Sequence, residues 1–134
     1  MATSMVTGGT SGIGREFVTQ LAARGDDIVI VARDTERMAA IKADVEARYG
    51  VSVETIAADL SRREDVDQIT TRVEDPNHPV DLLVNNAGFA VHAKILDPEA
   101  LELHDRAVEV MMRAVLVLSA AAGRAMNCLL YTSP

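Results

Sequence analysis

Between Met5 and Gly14 the chain reads Met-Val-Thr-Gly-Gly-Thr-Ser-Gly-Ile-Gly, an apolar run that turns through spaced glycines into a segment with helical patterning. A strand ending in such a turn aims the first backbone N–H groups of the next helix, with the positive end of its dipole, at whatever lies in front of it. That geometry suits an anion. Gly8 permits the tight turn, Gly12 lets the backbone approach a pyrophosphate, and Gly14 lets the helix pack closely on its strand. The spacing is G-x-x-x-G-x-G rather than the commoner G-x-G-x-x-G. A glycine-rich turn between strand and helix also arises for packing reasons alone, so the chemistry has to be decided by the rest of the chain.

The remainder alternates strand and helix patterns at spacings suited to a parallel sheet. The pattern predicts a strand over Ala2 to Thr7 and a helix over Gly12 to Arg24, with Ile13, Phe17, Val18 and Leu21 on its inner face and Gly25 as its stop. Asp27 to Ala32, a nearly continuous β-branched run, reads as a strand covered on both faces. Asp34 or Thr35 caps a helix running to Tyr49, with Met38, Ile41, Val45 and Tyr49 inward and Gly50 ending it. A third strand follows over Val51 to Ala57. Ser61 is placed to cap a helix from Arg62 to Glu74, with Glu64 completing a capping box. Pro76 and Pro79 bracket a loop before a fourth strand, Val80 to Asn85. Asp97 before Pro98 starts a short helix. The last helix, Leu103 to Met126, is apolar around its whole circumference, which predicts burial on both sides, one against the sheet and one against a partner or the rest of a larger domain.

Composition narrows the function classes. At 134 residues and 49% hydrophobic content the chain is long enough for one domain with its own core. The net charge of -7 comes without any Lys/Arg stripe, which argues against a nucleic-acid surface. No charge-free apolar run approaches a membrane span. Cys128 is the single cysteine, so an intrachain disulfide is excluded, and the N-terminus enters a strand without a basic-then-apolar leader, which makes the cytoplasm the default expectation. His78, His92 and His104 lack metal-ligand spacing, so no metal site is expected. Lys42 and Lys94 both lie outside the glycine turn, which leaves a P-loop unsupported.

The end of the second strand reads Ala32-Arg33-Asp34. In a βαβ nucleotide fold this point lies beside the adenosine ribose, where an acid suits a free 2'-OH and an arginine suits a 2'-phosphate. Arg33 therefore points to NADP, and neighbouring Asp34 leaves NAD open. The duller reading of Arg33 is a solvated strand-end charge. Taken together, Thr7-Gly-Gly-Thr-Ser-Gly-Ile-Gly14, Asp59-Leu60 and Asn85-Asn-Ala-Gly88 resemble the short-chain dehydrogenase/reductase family, classical type, over roughly Met5 to Met126. The resemblance implies a doubly wound α/β parallel sheet of Rossmann-like type with strand order 3-2-1-4. It implies that Thr10, Ser11, Gly12 and Ile13 line the pyrophosphate, with Gly8 and Gly14 shaping the turn. Asp59 would hydrogen-bond the adenine amino group with Leu60 beside it, Asn86, Ala87 and Gly88 would run along the cofactor, and Asn85 would brace the central sheet. Locally, Asp59 is also a plausible strand end, and Asn85 and Asn86 are good turn closers.

Departures from the family pattern are as informative. Family members act through Ser, Tyr and Lys, with Tyr four residues before Lys, and often an Asn in the preceding long helix. The aligned Asn position here is about Met111, and Tyr131 has no Lys at the required spacing, so no catalytic residue is expected. The chain thus reads as an incomplete NAD(P)-binding domain over 1–126, truncated after the long helix that follows strand 4. Residues 127–134 read as a tail outside the family pattern, similar to adapter read-through from sequencing or assembly, with a natural shortened tail as the competing explanation. An incomplete sheet would leave Leu82-Leu-Val84 as an exposed apolar edge. The expected parent is an oxidoreductase moving hydride between NADP(H) and a carbonyl/alcohol substrate, self-associating through the long helix 103–126. The rival classes are a non-catalytic dinucleotide sensor and an S-adenosylmethionine-binding methyltransferase fragment.

Overall fold

A computed structural model describes the backbone of residues 2–132 and the side chains of residues 2–128. The elements are β1 (Thr3–Thr7), α1 (Gly12–Ala23), β2 (Asp27–Ala32), α2 (Thr35–Tyr49), β3 (Val53–Ala57), α3 (Arg63–Val73) and β4 (Leu82–Val84). A 3-10 turn (Pro98–Ala100) then leads into α4 (Leu101–Val108), a π turn (Glu109–Arg113) and α5 (Ala114–Thr132). The strands form one sheet in the order β3-β2-β1-β4, and every pairing is parallel, with Met5 opposite both Val29 and Leu83.

Period-two alternation along the strands divides the core into two layers. Val6, Ile28, Ile30 and Val53 pack with Val18 and Leu21 of α1 and Met38, Ile41 and Val45 of α2. Met5, Val29 and Val31 face the other way, onto Val66, Ile69 and Val73 of α3 and Ala114, Leu118 and Ala121 of α5. Helices therefore cover both faces, which is why β2 is apolar at consecutive positions. This is the doubly wound arrangement and strand order that the sequence pattern and the resemblance imply.

Local signals set most boundaries. The Asp34 carboxylate caps α2 by accepting from the Arg37 N–H at 3.0 Å, and Gly50 ends it in the left-handed region at φ 68. Asp97 accepts from the Glu99 N–H at 3.0 Å just ahead of Pro98.

Several expectations need correction. The inner face of α1 is Gly14, Val18, Leu21 and Ala22. Ile13 is 72% exposed and Phe17 is also exposed, because α1 packs inward through Gly14, against the Gly8 carbonyl and the Asn86 side chain, and through Val18 and Leu21. Ser61 does not cap α3. Its hydroxyl donates to Asp59 Oδ1 at 2.7 Å, Arg62 occupies the cap position without a side-chain bond, and Asp65, one residue after the expected Glu64, accepts from the Asp59 N–H at 2.8 Å. Strands β3 and β4 are shorter than their apolar runs, starting at Val53 and spanning Leu82–Val84.

The long helix starts at Leu101, is interrupted by the π turn, and continues past Met126 to Thr132. Asn127 to Thr132 is accordingly helical, while Ser133, Pro134 and the Tyr131 side chain lie outside the described residues. Burial is one-sided: Val110, Ala114, Leu118, Ala121 and Ala122 are buried, whereas Met112 and Leu116 are exposed, Leu116 by 71%. Its all-round apolar character is thus not matched by all-round cover within the described residues. Among those residues no helix is long and apolar enough to cross a membrane.

One buried charge ties β1 to the turn after α1. Asp26 is 4% exposed, and its carboxylate accepts from Ser4 Oγ at 2.7 Å and from the Arg24 guanidinium. The Arg24 hydrogen bond, joined by that from Ser4, outweighs burial and holds the Asp26 pKa below its ordinary value. A carboxylate with a depressed folded-state pKa stabilises the fold above its unfolded pKa, and this is lost as pH falls through the folded value. Asp26→Asn should therefore lower stability at pH 7 by roughly 1–3 kcal/mol, the range for a buried hydrogen bond to a charge. Thermal melts of the two proteins should converge as pH falls below about 4, near the unfolded carboxylate pKa.

Candidate functional site

The C-terminal ends of the strands open onto a cleft of about 680 Å³. It sits where β1 is flanked by β2 on one side and β4 on the other, the point at which the chain's crossover direction reverses.

The turn after β1 forms its floor. Gly8 (φ 67) and Gly12 (φ 56) both adopt the left-handed region, which a side chain would strain. Gly14 is required by closeness instead: a Cβ there would lie 2.1 Å from the Gly8 carbonyl oxygen and 2.3 Å from Asn86 Nδ2. Ser11, at the N-cap of α1, makes no side-chain cap bond, and the first turn carries no acidic residue. In α2 and α3 the first turns do hold acids. The start of α1, which reaches the cleft through Ser11 and Ile13, thus carries neither a capping side chain nor an acid, as an anion-binding helix end requires.

Thr7 and Asn86 join this floor to the wall at the end of β4. Thr7 Oγ1 accepts from the Asn86 N–H and the Ala87 N–H, each at 3.0 Å, and the Asn86 amide donates to the Gly8 carbonyl at 3.1 Å. The brace of the central sheet is therefore Asn86 with Thr7, not Asn85 as expected. Asn85 instead donates to Ser119 Oγ of α5 at 3.1 Å. Beyond the brace, Gly88 lies under Met111, whose Cγ would stand 3.5 Å from a Cβ at that glycine.

The opposite wall carries the charges. Arg33 and Asp34 follow β2, Arg37 lies in the first turn of α2, and Asp59 and Leu60 follow β3. Burial pushes the Asp59 pKa up. The O–H and N–H of Ser61 and the charges of Arg106 and Arg33 outweigh it and hold the carboxyl below its ordinary value. Asp59 is thus ionised at neutral pH and acts only as an acceptor. Its Oδ1 is taken by Ser61, while Oδ2 lies 3.8 Å from Arg106 Nη2.

Of the residues singled out from sequence, Gly8, Thr10, Ser11, Ile13, Arg33, Asp59, Leu60, Asn86, Ala87 and Gly88 all line this cleft. Gly12 and Gly14 belong to the same turn but are not on the lining surface. Sequence reading missed Arg37, Phe89, Arg106 and Val110. Arg37 lies in the first turn of α2, just past the strand end that carries Arg33. Arg106 lies on a helix with no local motif, and only the tertiary fold brings it to Asp59. Among the described residues no group of His, Cys, Asp and Glu converges as a metal site.

A parallel sheet with helices on both faces, and a cleft over a glycine-rich turn at its switch point, defines a nucleotide-binding domain of the doubly wound α/β class. The model of the family described as short chain dehydrogenase matches residues 2–128, and the chain belongs to that family. It is similar to the very-long-chain 3-oxoacyl-CoA reductase of Debaryomyces hansenii, 36% identical over 76% of this chain and 30% of the relative. It is also similar to the farnesol dehydrogenase of Aedes aegypti, 31% identical over 92% of this chain and 51% of the relative. Among solved structures, a short-chain dehydrogenase from Sphingobium yanoikuyae in complex with NADPH superposes with a TM-score of 0.85 at 34% identity, over 91% of this chain and 47% of that one. The chain therefore spans between about a third and a half of the length of these relatives.

The brace supplies a direct test. Thr7→Val keeps the side-chain shape but removes the acceptor for two N–H groups, and should destabilise the fold by about 1–3 kcal/mol. Thr7→Ser, which keeps the oxygen, should lose less than the valine variant in the same chemical denaturation experiment.

Proposed function

We propose that the cleft binds a nicotinamide dinucleotide, NADP in preference to NAD, and that residues 1–126 are the cofactor-binding unit of an oxidoreductase acting on a carbonyl/alcohol pair. The observation that carries this reading is convergence: the Gly8–Ile13 turn, Asp59 and the Asn86–Gly88 segment, far apart in the chain, line one cleft at the switch point. The likeness to a relative solved with NADPH supports it.

The residues fit such a group. The amides at the start of α1, left without a capping side chain, would hold the pyrophosphate. Ionised Asp59, with Oδ2 not engaged by Ser61, would accept from the adenine amino group. Arg33, exposed at the end of β2, would pair with a 2'-phosphate through its planar fork. Ala87 and Gly88 leave room for a ring system along the β4 wall. When bound, the nicotinamide supplies a hydride donor or acceptor. This chain's own contribution is to bind and orient it. The lysines are Lys42 and Lys94, and the residues four before them are Met38 and Ala90, so the family's Tyr-x-x-x-Lys proton relay does not occur within residues 1–134. Hydride transfer is accordingly proposed for the whole protein and not for these residues alone.

Titration of the folded 134-residue chain with NADPH, followed by nicotinamide fluorescence, should saturate, and S-adenosylmethionine should not compete. Absence of binding by either nicotinamide coenzyme would overturn the cofactor reading, and tight S-adenosylmethionine binding would replace it with a methyltransferase reading. Arg33→Asp should weaken NADPH by about ten-fold or more, the scale of one charge-assisted contact, and NADH distinctly less. Equal losses for the two coenzymes would remove Arg33 from the role of phosphate reader.

A further inference from the structure

Helix α4 has no buried residue of its own, yet it stands at the mouth of the cleft. Two ion pairs connect this helix and the π turn after it to the segment following β3: Arg106 with Asp59 at 3.8 Å, and Glu109 with Arg63 at 3.3 Å. They differ in placement. Arg106 lines the cleft together with Asp59 and Arg33, whereas neither Glu109 nor Arg63 does. At 3.8 Å Arg106 lies beside Asp59 without a hydrogen bond between them, so the carboxylate Oδ2 remains an acceptor and the guanidinium N–H groups remain donors for a third group. An acceptor and a donor held side by side match the edge of a purine base, which presents an amino donor next to a ring-nitrogen acceptor. Arg33, Arg37 and Arg106 face Asp34 and Asp59 in the cleft, a local positive excess in a chain of net charge -7.

We infer that Arg106 is a binding residue for the purine end of the nucleotide: its guanidinium contacts the base beside Asp59, so that the long helix forms part of the cofactor site. This rests on the dinucleotide reading above. A purely structural alternative makes Arg106 an anchor that holds α4 in place, and the Arg63–Glu109 pair provides the control, because it anchors the same segment from outside the cleft.

The experiment measures dissociation constants of NADPH and of 2',5'-ADP, which lacks the nicotinamide, for the full chain and for Arg106→Gln, Arg106→Lys and Glu109→Gln, with melting temperatures of the unliganded proteins. Arg106→Gln should weaken both ligands by about ten-fold, the effect of one charge-assisted hydrogen bond. Arg106→Lys should fall between it and the unsubstituted chain, and Glu109→Gln should leave both affinities within about two-fold, as expected for an exposed ion pair. If Arg106→Gln binds like the unsubstituted chain, or if Glu109→Gln loses as much as Arg106→Gln, the inference fails while the dinucleotide reading stands. If the unsubstituted chain binds neither ligand, both fail together.

Discussion

Everything at the cleft end of this molecule depends on how closely the turn after β1, the start of α1 and the Asn86 side chain approach one another. Gly8, Gly14 and Asn86 meet at distances that leave no volume for a methyl group at residue 14. The Thr7 hydroxyl and the Asn86 amide together satisfy polar groups that this approach would otherwise bury without partners. Thr7 is itself buried, so its oxygen is a fixed acceptor and not one that water replaces. The glycines and the Thr7–Asn86 brace are therefore one device. The first permits the contact, and the second holds β4 in register so that the Ala87–Gly88 wall stands opposite the turn.

That device explains the electrostatic layout around it. With the N-cap side chain of α1 not bonding back and no acid in its first turn, the positive end of the helix dipole is not offset by a neighbouring acid on its own helix. Arg33, Arg37 and Arg106 add to it, while the carboxylates of Asp34 and Asp59 sit among them. The rest of the chain is acidic. Three guanidinium groups and the start of a helix thus gather at one cleft, and Asp59, held below its ordinary pKa, stands among them as a carboxylate at neutral pH.

Legibility varied with how local each signal is. Asp34, Gly50 and Asp97 act within a few residues and cap or stop their helices as the sequence suggests. Ser61 shows the limit of such signals. It suits an N-cap by residue type, but the helix starts one residue later, with Arg62 at the cap, and the Ser61 hydroxyl donates to Asp59 two residues back. Ile13 and Phe17 fit an inner helical face by periodicity, yet that face keeps Val18 and Leu21 and takes Gly14 and Ala22 in their place, with Gly14 in close contact with the Gly8 carbonyl. Apolar periodicity alone cannot register a backbone contact of this kind. The long helix reads as apolar all round because no residue pattern records which side the sheet will take.

The chain's sequence by itself determined the alternation of strands and helices, the places where the backbone turns through glycine, and the residue types available to line the cleft. These follow from backbone sterics and side-chain periodicity within short windows. Tertiary structure alone decided which asparagine braces the sheet and which arginine stands beside Asp59. The Asn86 amide and the Gly8 carbonyl are 78 positions apart, and α4 reaches Asp59 only after α3, β4 and the following loop have folded between them. Contacts of that range are set by how layers stack, and no local preference encodes them.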